Sequence, residues 1–360
     1  MKSVSAIIPY YEGRDQLRGL FHALSAMTIP AGTELEVVIA DDGSDLPTDP
    51  TTWTHSKLKV KSVRQDHLGQ SAATNLAVRT AEGNFIWLLA QDIRPKSNAL
   101  TELLKRSGEF PGALVQGMIC HDESLYSDPF TRYIAQKSGF QFAYGLIGND
   151  DWLPPVFHYA PHALIERERF LQLDGYDEAL PYGYQDTDFS LRMIRDGGRL
   201  VLARQSEVIH CHAFEVWTYA LRLKRLGGAL IDFTLKWRPL EELDSLRPML
   251  KVQLQYAAKV VAVARDIIRR WEITGEEPTG EEMDATTVEQ YTKLTPLETA
   301  FHLVLNNSHA RGIYEGMKSA GQSFSFTDVE VPTEITDDDK WNVLGWIDDV
   351  VGAKWGRNRT

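Results

Sequence analysis

The chain has 360 residues, of which 43% are hydrophobic and 24% are charged. These are ordinary values for a folded protein, so they exclude a disordered or fibrous chain, and the length favours two structural units. The formal net charge of -12 disfavours general nucleic-acid binding, because such binding depends on Lys and Arg neutralising phosphates.

Features tied to cellular compartment are sparse. The only cysteines are Cys120 and Cys211, too few for a disulfide framework, and the chain opens without the apolar run of a signal peptide. The longest apolar runs, such as residues 85–90, are far shorter than the ~20 residues of a membrane-spanning helix. We therefore expect a cytoplasmic protein that is soluble or touches a membrane only peripherally.

Apolar β-branched runs alternate with segments of helical periodicity over the first hundred residues. This alternation is typical of an α/β fold with a parallel sheet. The predicted elements are strands at 4–9, 35–40, 59–63 and 84–89, and helices at 16–24 and 71–80.

Polar residues follow three of these predicted strands: residues 9–12 (Pro-Tyr-Tyr-Glu), residues 41–44 (Asp-Asp-Gly-Ser) and residues 90–92 (Ala-Gln-Asp). In doubly wound sheets, ligands bind at the carboxyl ends of the strands. The three polar ends are therefore expected to converge on one binding site.

The pattern becomes helical from about residue 214, with predicted helices at 216–237 and 250–271 and an exposed stretch at 272–287. We predict a domain at 1–215 and a helical region of unknown role at 216–360. Residues 216–226 mix aromatic and basic side chains on an amphipathic helix. Such a helix packs on the catalytic domain or rests on a membrane surface, and we favour packing.

Three segments carry a family signature: residues 7–11 (Ile-Ile-Pro-Tyr-Tyr), residues 37–44, which end in Asp-Asp-Gly-Ser, and residues 68–75 (Leu-Gly-Gln-Ser-Ala-Ala-Thr-Asn). Asp-Asp-Gly-Ser alone is more typical of a simple turn. In order and spacing, however, the three segments resemble the nucleotide-binding signatures of glycosyltransferase family 2. The resemblance implies a GT-A fold, a Rossmann-like nucleotide-binding mixed sheet flanked by helices, followed here by a mainly helical extension.

The resemblance also implies a nucleotide-sugar site. Asp42, with Asp41, would accept hydrogen bonds from the base or the ribose, and Tyr11 would stack on the base. Thr74 stands where the family often has arginine, and Arg64 or Arg79 could replace that contact. The residues expected to bind the nucleotide sugar are Pro9, Tyr11, Glu12, Asp41, Asp42, Gly69, Asn75 and Gln91.

The resemblance implies a divalent metal at Asp92. Two aspartates flanking one residue form the family's metal motif, and Ala90 replaces the first of them. Asp92 would hold Mn²⁺ or Mg²⁺ while the diphosphate completes the coordination shell. The alternative for Asp92 is a structural cap before Arg94, and Arg94 and Lys96 are either phosphate contacts or solvated charges.

Residues 170–178 and 182–192 resemble the acceptor-side segment of the family, in which a Glu-Asp pair begins a helix and its aspartate is the catalytic base. Gln185 replaces the glutamate, and Asp186 keeps the base. A base is needed because the acceptor hydroxyl must lose its proton as it attacks the anomeric carbon. Asp188 is either a supporting group or an acceptor contact, since it lies on another face of the helix.

Histidines complete the candidate site. In the family a histidine near the end of the domain contacts the metal or the diphosphate, and His212 fits better than His210. Both could instead serve packing, or form a zinc site together with Cys211, although no second ligand cluster accompanies them. His158 and His162 lie in a region that faces the donor sugar or the acceptor in related enzymes, or are simple loop residues.

Together these features predict an inverting, metal-assisted transfer of a sugar from a nucleotide donor, most often a UDP-sugar, to a hydroxyl of a glycan, a lipid-linked sugar or a protein. The alternative is a degenerate protein of the same fold that binds a nucleotide sugar without turnover, because Ala90, Thr74 and Gln185 replace expected residues. A dehydrogenase or nucleotidyltransferase is disfavoured, since no Gly-x-Gly-x-x-Gly follows the first strand. A lectin-like binding module would leave the series of acidic strand ends unexplained.

Overall fold

The computed structural model describes residues 2–49, 58–138, 141–142, 152–180, 183–238, 243, 246–279 and 293–321. These residues divide into two compact units. The first unit contains residues 2–123 and 142–212, and the second contains residues 124–141 and 213–321. The predicted domain limit at residue 215 stays a prediction.

Within the described residues, eight strands form one sheet in the order β3-β2-β1-β4-β7-β6-β8-β5. The strands are β1 Lys2–Tyr10, β2 Thr33–Asp41, β3 Lys59–Arg64, β4 Phe85–Leu89, β5 Ile93–Pro95, β6 Leu114–His121, β7 His162–Glu166 and β8 Leu200–His210. The helices are α1 Arg14–Ala26, α2 Gln70–Thr80, α3 Ala99–Glu109, α4 Pro129–Gln136, α5 Arg167–Gln172, α6 Gln185–Arg195, α7 Val216–Trp237, α8 Arg247–Lys251, α9 Ala258–Thr274 and α10 Pro296–Ser319.

Strands β1 to β4 are mutually parallel where they pair, so their carboxyl ends lie along one edge of the sheet. The rest of the sheet is mixed, because β7 runs antiparallel to both β4 and β6, and β5 runs antiparallel to β8. The predicted mixed sheet with flanking helices and a helical C-terminal part is confirmed.

Both faces of the sheet are buried, as the continuous apolar runs of β1 and β2 require. Alternate residues of β1 belong to different cores: Ala6 and Ile8 to one, Ile7 to the other. The first core takes Leu17 and Leu20 from α1 and Leu100 and Leu103 from α3, and the second takes Ala73 and Ala77 from α2 and Phe189 and Met193 from α6. Each fully buried large apolar side chain contributes roughly 1.5–3 kcal/mol.

The second unit is a helical assembly in which α10 is buried on most of its surface. Helix α10 begins at a capping box, where Thr295 and Glu298 satisfy each other's backbone amides. The predicted helix at 250–271 is divided into α8, a π-helical turn over Val252–Tyr256, and α9, and Asn307 donates to the Gln253 carbonyl within that turn.

Helix α7 packs against the apolar residues of α9 and α10 through its Val216, Tyr219 and Leu223 side chains. The first half of α7 therefore packs within the second unit, and its expected packing on the catalytic domain stays a prediction. In the described part of the chain, no helix combines the length and the apolar character needed to cross a membrane.

The α7–α10 contact depends on glycine. A methyl group on Gly227 would lie under 3.0 Å from the carbonyl oxygen of His309, whereas one on neighbouring Gly228 would meet only the Gly312 carbonyl at 3.8 Å. We therefore expect Gly227→Ala to lower the free energy of unfolding by about 2–3 kcal/mol, because it overpacks this contact. The matched Gly228→Ala should raise it by about 0.5–1 kcal/mol through helix propensity. Denaturant unfolding of both variants checks this, and equal effects would contradict the close contact.

Candidate active site

Asp41 ends β2 and fixes the loop that follows it. Its buried carboxylate accepts hydrogen bonds from the backbone amides of Ser44 at 2.9 Å and Thr48 at 3.1 Å, and from Arg64 Nη1 at 2.9 Å. Arg64 also donates to the Ser44 carbonyl at 2.7 Å. Arg64 is thus bonded to Asp41 and to the loop after β2. The sequence offers Arg64 as a candidate phosphate contact in place of the arginine missing at Thr74.

Asp42 fixes the start of α2 in the same way. One oxygen, Oδ1, accepts from the Leu68 amide at 2.9 Å and from Gln65 Nε2 at 2.7 Å, while Oδ2 accepts from the Gly69 amide at 3.0 Å. Gly69 has φ +99°, a backbone conformation that favours glycine. A β-carbon at this position would meet no other atom within 4 Å, so it is the backbone conformation and not crowding that requires glycine here. Asp42 thereby draws α2 towards the carboxyl end of β2.

An aromatic pair covers this edge of the sheet. The Tyr11 ring lies 4.1 Å from the His67 ring, centroid to centroid, at an interplanar angle of 30°. Both side chains are substantially exposed, and His67 Nδ1 lies 3.0 Å from Asp42 Oδ2. Sequence reasoning identified Tyr11 and missed His67, although its position directly before the Leu68–Gly69 segment could have drawn attention to it. The pair presents a flat surface on which a planar ligand can stack.

Gln91 ties the end of β4 to the loop after β1. Its Oε1 accepts from the Tyr11 amide at 3.2 Å, and its Nε2 donates to the Glu12 carbonyl at 3.1 Å. Glu12 has φ +52° and accepts from the Asp45 amide at 2.7 Å. These two predicted contact residues hold the backbone that carries Tyr11.

A narrow cleft opens at the carboxyl ends of β1 and β4. The cleft is lined by predicted site residues and their neighbours: Pro9, Gln70, Thr74, Ala90 and Tyr176 are among them. The Thr74 hydroxyl donates to the Gln70 carbonyl at 2.8 Å. The cleft therefore joins the first nucleotide segment, the start of α2, the segment before Asp92 and the acceptor-side segment.

Asp92 lies between β4 and β5 and is held by β8. The Cys211 amide donates to its backbone carbonyl at 2.9 Å, and its carboxylate Oδ2 lies 3.4 Å from His210 Nε2. Burial opposes ionisation, but the hydrogen bond from His210 and the charges of His210 and His212 outweigh it, so the pKa of Asp92 is lowered. The carboxylate is therefore charged and available to a cation at neutral pH.

Two further histidines lie near His210. The exposed His212 ring lies 5.9 Å from the His210 ring, and the His121 ring lies 5.6 Å from it. His121 was missed from the sequence, because only the pairing of β6 with β8 brings it opposite His210. Burial and the neighbouring His210 lower the pKa of His121 to about 4, so it is neutral near pH 7.

Mn²⁺ and Mg²⁺ prefer oxygen ligands such as carboxylates, whereas imidazole suits several other transition metals. Among the described residues, no group of three or more His, Cys, Asp or Glu side chains is arranged to hold a metal ion by itself. The Asp92 carboxylate suits an ion of the first kind, and the charge of His212 acts on it. The zinc interpretation of the His-Cys-His triplet has no ligand set within that same part of the chain.

Asp186 lies in the first turn of α6 and is half-buried. Its Oδ1 accepts from the Thr187 amide at 2.8 Å. Burial, followed by the charge of Asp186, raises the pKa of both Tyr176 and Tyr184. Tyr176, on which this charge acts, is one of the residues that line the cleft.

Asp188, in contrast, is fully buried and pairs with Arg192 Nε at 2.9 Å. Arg192 also donates to the Leu173 carbonyl and, at 2.7 Å, to the Gly175 carbonyl. The pair thus clamps the turn at residues 173–175 to α6. Gln185, at the position of the family's glutamate, accepts from the Gly183 amide at 2.8 Å.

Asn75 holds the same segment from α2. Its Nδ2 donates to the Tyr176 carbonyl and to Glu178 Oε1, both at 2.8 Å, and its Oδ1 accepts from the Tyr176 amide at 2.9 Å. A side chain on Gly175, which has φ +63°, would collide with Asn75. The buried Asn75 amide is therefore bonded within the chain on both of its polar atoms.

His158 and His162 are both buried in the first unit. His158 Nε2 lies 3.1 Å from the Tyr176 hydroxyl, and Trp87 Nε1 donates to His162 Nδ1 at 3.1 Å. Burial lowers the pKa of each to about 3, so both are neutral at physiological pH. His158 supports a residue of the cleft, and His162 is part of the core.

The basic residues after Asp92 contact the chain itself. Lys96 forms an ion pair with Glu207, and Arg94 donates to the Ile93 carbonyl at 2.8 Å. The Arg94 guanidinium also lies where a side chain on Gly19 of α1 would be.

Known proteins share this sequence pattern and fold. A family model described as "Glycosyl transferase family 2" matches residues 5–171. The O-antigen biosynthesis protein RfbC of Myxococcus xanthus is 25% identical over 225 residues, an alignment that covers 58% of this chain and 17% of that protein. The chain thus spans only a small part of this curated relative.

Two solved structures are similar over most of the chain. The mannosyltransferase PcManGT from Pyrobaculum calidifontis, in complex with GDP-Man and Mn²⁺, has 18% identity and a TM-score of 0.56, with 88% of this chain and 87% of that chain covered. Residues 1–349 of TarS from S. aureus have 14% identity and a TM-score of 0.49, with 94% and 95% covered. The first of these shares the fold described above.

Proposed function

We propose that this chain, whose residues 5–171 match the family model of glycosyl transferase family 2, is a glycosyltransferase that transfers a sugar from a nucleoside-diphosphate donor to a hydroxyl acceptor with inversion. The cleft carries the proposal. It is lined by Ala90, two residues before Asp92, and by Tyr176, on which the Asp186 charge acts. Ala90 and Tyr176 thus connect the cleft to the proposed metal ligand and to the proposed base.

The donor site is proposed at the carboxyl ends of β1, β2 and β4. The base stacks on the exposed pair of Tyr11 and His67, and the predicted contacts at Pro9, Glu12 and Gln91 border the same loop. Asp41, Asp42 and Gly69 support that site through their bonds within the chain, and Asn75 holds the neighbouring segment at Tyr176. The GDP-Man complex of the mannosyltransferase supports a nucleotide-sugar donor. Among nucleotide sugars, we propose a UDP-sugar as the donor of this chain.

Asp92 and His212 are the proposed ligands of Mn²⁺ or Mg²⁺, and the Mn²⁺ in the mannosyltransferase structure supports this assignment. When bound, such an ion neutralises the negative charge that develops on the departing diphosphate. The Asp92 backbone accepts a hydrogen bond from the Cys211 amide, so the proposed ligand is carried on an ordered segment.

Asp186 is the proposed general base. Its carboxylate accepts the proton of the acceptor hydroxyl while the hydroxyl oxygen bonds to the anomeric carbon. The bond from that carbon to the diphosphate oxygen breaks on the opposite face, so the configuration inverts. The name of the O-antigen relative supports a glycan acceptor, with a lipid-linked sugar or a protein as the other proposed classes, and we propose that the reaction takes place in the cytoplasm.

A degenerate nucleotide-sugar binder of the same fold is the second candidate. This candidate is favoured by three neutral residues, Ala90, Thr74 and Gln185. They stand at positions where the family has, or often has, a charged residue. The two candidates share donor binding and differ in turnover.

Asp92→Ala is expected to abolish the metal-dependent part of donor binding. Thermal unfolding and slow donor hydrolysis would be measured against a panel of nucleotide sugars, with and without Mn²⁺. A donor at 100 times its dissociation constant stabilises a protein by about 2.7 kcal/mol, so the shift is easily measured. Asp15→Ala, which removes an exposed carboxylate on α1, is the matched control and should respond like the wild type.

Metal-dependent binding that survives Asp92→Ala would contradict the assigned metal ligand. Binding of a nucleotide sugar without any hydrolysis or transfer would favour the degenerate binder. An absence of response to every nucleotide sugar would contradict both candidates.

A further inference from the structure

The Asp42 carboxylate already accepts as many hydrogen bonds as its two oxygens can hold. Oδ1 accepts from Gln65 Nε2 at 2.7 Å and from the Leu68 amide at 2.9 Å, and Oδ2 accepts from the Gly69 amide at 3.0 Å. His67 Nδ1 also lies 3.0 Å from Oδ2. A carboxylate offers about four lone-pair positions, and these four donors fill them. Asp42 therefore has no position left for a hydrogen bond from a nucleobase.

The contacts with Asp42 also fix the orientation of two side chains. The oxygens of a carboxylate only accept, so the Gln65 amide turns its Nε2 towards Asp42 and its carbonyl oxygen, Oε1, away. His67 Nδ1 lies 3.0 Å from both the carbonyl oxygen and Oδ2 of Asp42, so this nitrogen carries the ring proton. A glutamine amide that can turn presents either a donor or an acceptor to a ligand. Since the Gln65 amide is held in one orientation, it presents an acceptor.

The backbone that carries Gln65 and His67 is held as well. The Gln65 amide N–H donates to the Asp41 carbonyl at 3.0 Å, which continues the pairing of β3 with β2. A methyl group on Gly43, which has φ +85°, would lie 2.8 Å from the His67 backbone nitrogen, so the segments after β2 and β3 are in close contact. Gln65 Oε1 is thus a preorganised acceptor, and using it costs little further conformational entropy.

This acceptor lies beside the aromatic stacking surface. The His67 ring is 4.1 Å from the Tyr11 ring, and His67 and Gln65 are bonded to the same Asp42 carboxylate. The Gln65 residue is partly exposed, as a group that meets a ligand must be. Gln65 is therefore placed to meet the edge of a base that stacks on the pair of Tyr11 and His67.

We propose that Gln65 reads the nucleobase of the donor through Oε1, which accepts a ring N–H, and that Asp42 positions Gln65 for this contact. The inference rests on the proposed function, because it takes a nucleotide as the ligand. Uracil carries such a ring N–H at N3 and guanine at N1, whereas the matching ring nitrogens of cytosine and adenine carry a lone pair. A carbonyl oxygen that faces a lone pair is repelled and loses its hydrogen bond. Gln65 thus selects uracil or guanine.

The test is calorimetric titration of the full chain, with Mn²⁺ present, with UDP and with 3-methyl-UDP, in which a methyl group replaces the N3 proton. The wild type should bind UDP more tightly by about tenfold or more, because the methyl group removes the hydrogen bond and leaves the acceptor unpaired. In Gln65→Met and Gln65→Leu, which lack the acceptor, the ratio of the two dissociation constants should fall to about one. The ratio is taken within each variant, so a general loss of affinity cancels. Gln205→Met, at an exposed position of β8, is the matched control and should keep the wild-type ratio.

A wild-type ratio in both Gln65 variants overturns the proposal and returns the reading of the base to Asp42. Equal binding of UDP and 3-methyl-UDP by the wild type overturns it too. Titrations with GDP, CDP and ADP separate this inference from the proposed function. CDP or ADP bound as tightly as UDP and GDP overturns the proposal alone, and if GDP binds in place of UDP, 1-methyl-GDP gives the same comparison. Absence of binding by all four nucleotides contradicts the proposed function itself and the inference with it.

Discussion

Asp186→Asn is expected to lower sugar transfer and donor hydrolysis by about 10²–10⁴-fold, the range over which a general base accelerates a reaction. The amide has nearly the shape of the carboxylate but cannot take a proton from the acceptor hydroxyl. The donor's dissociation constant and the free energy of unfolding should stay close to wild type, because Asp186 is half-buried and its amide replacement can still accept from Thr187. Steady-state kinetics with donor-binding measurements would check all three quantities.

Asp188→Asn is the control on the same helix. Asp188 is buried against Arg192, so its loss should destabilise the fold by about 3 kcal/mol through a broken buried pair. A variant Asp186→Asn that turns over at the wild-type rate would contradict its role as base. A variant that fails to bind the donor would assign Asp186 to the donor site.

Asn75→Ala is expected to lower the free energy of unfolding by about 2–4 kcal/mol, because it removes three hydrogen bonds and leaves the buried Tyr176 amide without its acceptor. The donor's dissociation constant should not change, since the Asn75 amide is bonded to Tyr176 and Glu178. Chemical denaturation and calorimetric donor titration measure the two effects separately.

Thr74→Ala is the neighbouring control. Among the described residues, the Thr74 hydroxyl bonds to the Gln70 carbonyl of its own helix, and its removal should cost less than about 1 kcal/mol. Weaker donor binding in Asn75→Ala with unchanged stability would make Asn75 the nucleotide ligand that the family resemblance suggested.

The elements of the nucleotide-binding half could be predicted because local pattern and fold agree there. The apolar run at residues 4–9 lies within β1, and the helical periodicity at residues 71–80 lies within α2. Runs that are apolar on both faces specify buried parallel strands, and the polar residues after them then meet at one edge. The family resemblance added the expected roles of Asp92 and Asp186, which pattern alone does not supply.

The remainder depends on contacts between distant segments. His121 meets His210 only through the register of β6 with β8, which includes a bulge after Gly117. No strand was predicted for the residues after Asp92, and they form β5 because β8 offers them backbone partners. The hydrogen-bond partners of Asn75 and Asp188 likewise could not be predicted from residue type. A polar side chain can bind either water or another part of the chain, and only the fold decides which.

The short strand β5 has a consequence for how the site meets its ligands. The Asp92 main chain is bonded to Cys211, and the next residue pairs with His210, so this segment is ordered by the sheet itself. The conformational entropy of fixing the Asp92 segment is therefore lost once, during folding, and not again each time a ligand arrives. If the proposed cation binds at Asp92, this preorganisation makes its binding tighter than on a loop that must first be ordered.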